Sequence, residues 1–175
     1  NRVRHAIRTH IVSYVRPDGT FAARKLECFS DQGAYASHGH GIAAKGMGAF
    51  PQLYPCENLQ CDAYTVFTNK PVSGAMRGYG IPQVDFAMEA HMDDIARGLG
   101  LDPVELREKN CMKPGYVDPG TGITCYSSGL LACIEKGKAH IHWDEKRAAY
   151  RGQTGPVRRG VGMALFSYKT GVYPI

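Results

Sequence analysis

The sequence lacks any apolar run near the roughly 18–20 residues needed to cross a bilayer, so a spanning helix is excluded. The basic start Asn1-Arg2-Val3-Arg4-His5 is followed by no apolar signal core, which gives secretion no support. No CxxC occurs among the six cysteines (Cys28, Cys56, Cys61, Cys111, Cys125, Cys133), and no histidine stands beside them at zinc-ligand spacing. Reduced thiols in a cytoplasm are therefore the expectation. Basic residues are scattered along the chain without interleaved aromatics, and the formal charge is only +5, so neither nucleic acid nor a membrane surface is indicated as a partner. A mild positive field suits an anionic small molecule or cofactor.

What is present points to a folded chain. Its 175 residues are 43% hydrophobic and 21% charged, ordinary values for a globular domain with a real core. Glycine (21) and proline (10) are over-represented, so many backbone corners are expected. Alternation through Ile7, Thr9, Ile11, Ser13 and Val15, then Pro17-Asp18-Gly19-Thr20, then Phe21 onward to Phe29, predicts a β-hairpin. Residues 60–68 read as a further strand, with Tyr64 and Phe67 as core. A short helix is possible within 38–50, against four glycines that each cost about 1 kcal/mol.

Val84, Ala87, Met88, His91, Ile95 and Leu99 form an apolar stripe at helical spacing, with Glu89, Asp93, Asp94 and Arg97 on the wet face. Asp102-Pro103-Val104-Glu105 carries the cap, proline and acidic residue of a helix start. Two more helices are expected, one after Ser127 or Ser128 and one from Trp143 to Arg151. The expected class is α+β. An antiparallel hairpin and sheet segment (1–72) leads to a glycine loop (73–83), a mainly helical segment (84–152) and a returning strand (153–175), with a seam near 74–82.

The loop Ser73-Gly74-Ala75-Met76-Arg77-Gly78-Tyr79-Gly80-Ile81-Pro82-Gln83 holds the most unusual chemistry. Its glycines let backbone N–H groups approach a ligand, the helix start that follows favours an anion, and Arg77 adds a fixed cation. The plain alternative is a strand-to-helix connection that needs positive φ. It is neither GxGxxG nor a P-loop. The pairs His38/His40 and His140/His142 and the central His91 read as solvated or structural.

Nine consecutive residues of this loop, Ala75 to Gln83, resemble the A-[FMY]-R-G-[FY]-G-x-P-Q molybdenum loop of the xanthine dehydrogenase/aldehyde oxidase family. Arg4-His5, Asp31-Gln32-Gly33-Ala34-Tyr35, Thr68-Asn69 and Leu101-Asp102-Pro103-Val104-Glu105-Leu106-Arg107-Glu108-Lys109-Asn110 resemble flanking family motifs in the same order. The resemblance implies a piece of a molybdopterin-binding domain from a hydroxylase that inserts a water-derived oxygen at an electron-poor carbon of an N-heterocycle or aldehyde. It implies cofactor contacts at Ala75, Met76, Arg77 and Gly78, with Arg77 nearest the molybdenum through its backbone.

The resemblance also implies substrate contacts at Tyr79 and at Lys45, where purine-oxidising members tend to carry arginine. A cytosine-dinucleotide form of the pterin is implied, with iron–sulfur clusters and FAD on other domains or subunits. The family's upstream glycine- and glutamine-rich loop and its glutamate base have no counterpart in this sequence, so no catalytic residue is expected within it and the isolated chain is expected to be inactive. The first residue, Asn1, is likewise expected of an excerpt. The rival reading is a stand-alone module that binds an anionic ligand or a partner protein through residues 74–80.

Overall fold

The computed structural model describes residues 3–119 and 121–168. Three strands, β1 (Ala6–Val15), β2 (Phe21–Gly33) and β3 (Asn58–Phe67), form one sheet in the order β1-β2-β3. Six helices are described: α1 (Gly39–Met47), α2 (Ala49–Leu53), α3 (Ile81–Leu99), α4 (Pro103–Asn110), α5 (Leu130–Ile141) and α6 (Trp143–Ala149). The class is α+β, as expected.

The hairpin forms where the alternation and turn chemistry place it. Gly19 takes φ +85°, and the Asp18 carboxylate accepts from the Thr20 N–H at 3.0 Å. The strand at 58–67 corrects the antiparallel expectation: it joins β2 in parallel, so the sheet is mixed. A parallel pair needs a crossover, and α1 and α2 provide it. One face of β2 carries Arg24, Leu26, Cys28 and Ser30, all buried, beneath the helices. Its other face is open. Tyr64 stacks there on Phe29 at 4.9 Å and is 48% exposed, while Phe67 is 65% exposed, so neither is core.

A single cluster runs from Phe21 and Leu26 of the sheet through Phe50, Val84, Met88 and Met92 to Val104, Ile134, Trp143 and Leu165. It crosses residue 80 without interruption, so there is no seam at 74–82. Of the expected returning strand (153–175), the described part, residues 153–168, enters no sheet ladder, and 169–175 lie outside the described residues. The segment packs on the helices instead. Val161 and Met163 lie on the core, and the Leu165 N–H donates to Glu89 Oε2 at 3.0 Å.

That carboxylate belongs to a second correction, since Glu89 is buried rather than on a wet helix face. Arg107 of α4, 1% exposed, donates Nε to Glu89 Oε2 at 2.8 Å, and the Tyr54 hydroxyl donates to Oε1 at 2.5 Å. Asp93 takes the other edge of the same guanidinium at 2.8 Å. A buried charge with this many partners is tolerated; an unpaired one would not be. Asn110 then clasps the hairpin turn, donating to Gly19 O at 2.9 Å and accepting from Phe21 N at 3.2 Å.

Candidate functional site

The end of β2 aims the glycine loop. Asp31 accepts from Gly33 N at 3.0 Å, from the Thr68 hydroxyl at 2.6 Å and from Lys70 Nζ at 2.7 Å. These bonds, the Lys70 ammonium first, hold its carboxyl down at about 2. A side chain at Gly33 would strike the Pro71 carbonyl at 2.3 Å. Ser73 N then donates to Gln32 O at 2.9 Å, and Gly74 N to Val3 O at 3.1 Å. The chain thus leaves the sheet at a fixed point and direction.

Residues 78–80 follow with three successive positive φ values: Gly78 at +90°, Tyr79 at +50° and Gly80 at +94°. Tyr79 N donates to Met76 O at 2.8 Å and Ile81 N to Gly78 O at 3.1 Å, closing two tight turns before α3. Gly80 is buried against α1, where an added Cβ would lie 2.2 Å from the Ile42 carbonyl oxygen. Gln83 ties the helix start back to the first residues, donating to His5 O at 3.1 Å and accepting from Arg4 at 3.2 Å.

Between these anchors, Ala75, Met76 and Arg77 are exposed and Gly78 half-buried. The backbone N–H groups of all four find no acceptor among the described residues, and the Arg77 guanidinium has no carboxylate partner there. Successive free donors beside a cationic side chain suit an anionic or oxo-bearing group.

Tyr79 is half-buried, and its hydroxyl lies 2.9 Å from His38 Nδ1. Lys45, in the last turn of α1, is half-buried with its ammonium 5.0 Å from the Tyr168 ring centroid. Gly41, whose added Cβ would press the Tyr79 hydroxyl at 3.1 Å, precedes Lys45 by four residues on the same helix face. His38 is the residue that sequence reasoning set aside. Its i,i+2 partner His40 falls inside α1, so the two do not share a face, and nothing at that spacing signals an approach to Tyr79.

Other candidates fall to structural roles. His91 bonds the Ser13 hydroxyl at 3.1 Å, and burial lowers its pKa. Burial pushes the Cys28, Cys61 and Cys111 thiols up, Cys61 to about 11, so none of these three is an activated nucleophile. No cluster of metal-ligating side chains occurs among the described residues. A concavity of about 210 Å³, lined by Gln52, Met112, Tyr116 and Ile123 among others, is formed by none of the loop residues.

Residues 1–111, which span the hairpin, the crossover, the loop and α3 and α4, match the molybdopterin cofactor-binding domain family. The chain belongs to the molybdopterin cofactor-binding family.

It is 45% identical over 174 residues to the putative xanthine dehydrogenase molybdenum-binding subunit of Escherichia coli K12, covering 99% of this chain and 23% of that protein. It is 32% identical over 157 residues to the aldehyde oxidoreductase of Megalodesulfovibrio gigas, covering 90% of this chain and 17% of that protein. The aldehyde oxidoreductase structure from Desulfovibrio desulfuricans superposes with a TM-score of 0.77 at 28% identity, covering 86% of this chain and 16% of that one. The chain thus spans less than a quarter of the length of these relatives. No helix of its described residues is long and apolar enough to cross a membrane.

Proposed function

We propose that this chain is the part of a molybdenum hydroxylase that holds the cofactor's metal end over a substrate platform. The carrying observation is the row of N–H groups from Ala75 to Gly78, which have no acceptor among the described residues, held between the Asp31 clasp and the Gly80 contact and flanked by Arg77, which has no carboxylate partner there. This donor set fits a pterin-borne oxo-metal centre: the N–H groups would hold its oxygens or sulfurs, and Arg77 would balance its charge. When bound, the cofactor supplies two-electron oxidation and transfer of a water-derived oxygen to an electron-poor carbon.

The chain's own residues bind and orient. Tyr79 offers a half-buried aromatic ring for a flat N-heterocycle or aldehyde, and Lys45 offers a cation on the adjoining helix face. The general base comes from the remaining polypeptide in this reading, so the isolated chain is inactive. The pterin takes its cytosine-dinucleotide form, and electrons leave through iron–sulfur and FAD domains or subunits. All six cysteines are free, which suits a cytoplasmic setting.

The test uses the full protein that contains this chain, with elemental analysis for molybdenum and turnover of xanthine and of an aromatic aldehyde. Arg77→Ala should lower metal content or turnover, whereas His142→Ala, at the α5–α6 junction, should change neither. Lys45→Ala should alter kcat/KM more than molybdenum content. Equal losses in the Arg77 and His142 variants would refute the placement of the site.

A further inference from the structure

Tyr79 stands in a conformation that its residue type disfavours. It takes φ +50°, and in the left-handed region a side chain costs roughly 1–2 kcal/mol that glycine would not incur. Both neighbours are glycines in that region, yet the central position carries a large aromatic. Such strain persists where the surroundings hold the residue, and here they hold both of its ends. The backbone end is closed by Tyr79 N to Met76 O at 2.8 Å. The hydroxyl end meets His38 Nδ1 at 2.9 Å, and the two rings sit edge to face at 6.1 Å and 77°.

The start of α1 is shaped around this hydroxyl. His38 is the N-cap residue of α1, but its side chain makes no cap hydrogen bond and is turned to Tyr79. At Gly39 a Cβ would lie 2.0 Å from Gln32 Oε1 and 3.0 Å from Gln32 Cβ, so the start of α1 sits close against that side chain. At Gly41 a Cβ would crowd the hydroxyl at 3.1 Å. Gly46, one turn further on, lets α1 close on the Gly80 carbonyl, where a Cβ would stand 2.8 Å away. Helix and loop are thereby locked in one register.

We propose that His38 is a positioning residue for substrate recognition: its ring nitrogen pins the Tyr79 hydroxyl, so that the tyrosine ring is a rigid platform when substrate arrives. The proposal rests on the reading of Tyr79 as the substrate platform. A tyrosine tethered only at its backbone samples several ring orientations, and a ligand that needs one of them must bear the ordering cost. A hydrogen bond at the far end of the ring removes that cost before binding. The expected signature is an effect on KM rather than on kcat, because the tether acts on binding and touches no reacting atom.

The experiment uses the full holoprotein with xanthine and nicotinate as probes and the variants His38→Ala, His38→Asn, Tyr79→Phe, Tyr79→Ala and the His38→Ala/Tyr79→Phe pair. His38→Ala and Tyr79→Phe should each raise KM roughly two- to tenfold, the range set by one net hydrogen bond, with kcat within about twofold of wild type. The double variant should be no worse than either single one, because both remove the same bond. His38→Asn, whose amide can stand in for Nδ1, should recover most of the affinity. Independently of turnover, 3-fluorotyrosine labelling should give a Tyr79 ¹⁹F resonance that shifts in His38→Ala and returns toward its wild-type position in His38→Asn.

If Tyr79→Ala raises KM while His38→Ala moves neither KM nor the resonance, the role of His38 is refuted and the platform reading stands. If Tyr79→Ala leaves KM unchanged, the platform reading fails and the proposal fails with it, even where the ¹⁹F shift confirms the contact.

Discussion

Substituting Gly80 by alanine tests whether the loop and α1 are built as one piece. The perturbation has two parts. At φ +94° an L-residue is strained by roughly 1–2 kcal/mol. The new methyl would also stand 2.2 Å from the Ile42 carbonyl oxygen, with Ile42 Cγ2 at 3.1 Å. An ordinary contact needs about 3.4 Å or more, so loop and helix must separate by about 1 Å, and overpacking of this kind costs roughly 1–3 kcal/mol. The sum is about 2–5 kcal/mol. Gly98, near the other end of α3, is the control: nothing lies within 4 Å of its added Cβ, its φ is not positive, and alanine there should stabilise the helix by about 0.5–1 kcal/mol. Hydrogen exchange of the α1 amides in the full protein reads the local effect. Gly80→Ala should speed it roughly 30- to 5,000-fold, and Gly98→Ala should not. Molybdenum content should fall in the first variant alone. Exchange within about threefold of wild type, with full metal content in Gly80→Ala, would refute the account of the loop.

Two further predictions concern the buried charged groups of α3 and α4. Arg107→Met leaves the Glu89 carboxylate without its guanidinium and should destabilise the fold by about 3–5 kcal/mol in denaturant titration, whereas surface Arg97→Met should cost under about 1 kcal/mol. Asp85, one turn into α3 and 8% exposed, has its carboxyl pushed up to about 7, by burial first and then by Glu89, and its Oδ1 finds no hydrogen-bond partner among the described residues. The folded state therefore keeps a proton that the unfolded chain releases near pH 4, so this group's contribution to stability is whole below about pH 4 and declines as pH rises toward 7, by at most about 1.4 kcal/mol per pH unit. Asp85→Asn should remove that slope from a pH series of melting temperatures, and an unchanged slope would place the titrating group elsewhere.

Much of this architecture was legible from local chemistry. The α4 start is written in Asp102 and Pro103, and the Asp102 carboxylate does accept from Val104 N at 2.8 Å. The glycine loop stood out through its nine-residue family resemblance, since a strand-to-helix connection that needs positive φ would explain Gly78 and Gly80 equally well. What sequence could not show depends on partners far along the chain. Glu89 reads as a solvent residue until Arg107, 18 positions on, is folded against it. The strand at 58–67 reads equally well in either direction, since side-chain alternation does not encode strand sense. Tyr64 and Phe67 have strand-forming side chains, but which face is covered depends on where the helices land. His38 has no local signature because its partner lies 41 residues away. The helical run in 38–50 forms despite its glycines: at Gly46 a Cβ would stand 2.8 Å from the Gly80 carbonyl oxygen and at Gly41 one would crowd the Tyr79 hydroxyl at 3.1 Å, so close packing on the loop offsets the propensity cost.

The central claim is that the Ala75–Gly78 backbone holds the cofactor's metal end. It is tested most directly by a crystal structure of the full protein purified with molybdenum bound. The account predicts an oxo- or sulfur-bearing metal centre with its ligand atoms within about 3.5 Å of these four N–H groups, and a flat substrate analogue against the Tyr79 ring. A cofactor found elsewhere, with these N–H groups facing only solvent, would contradict it.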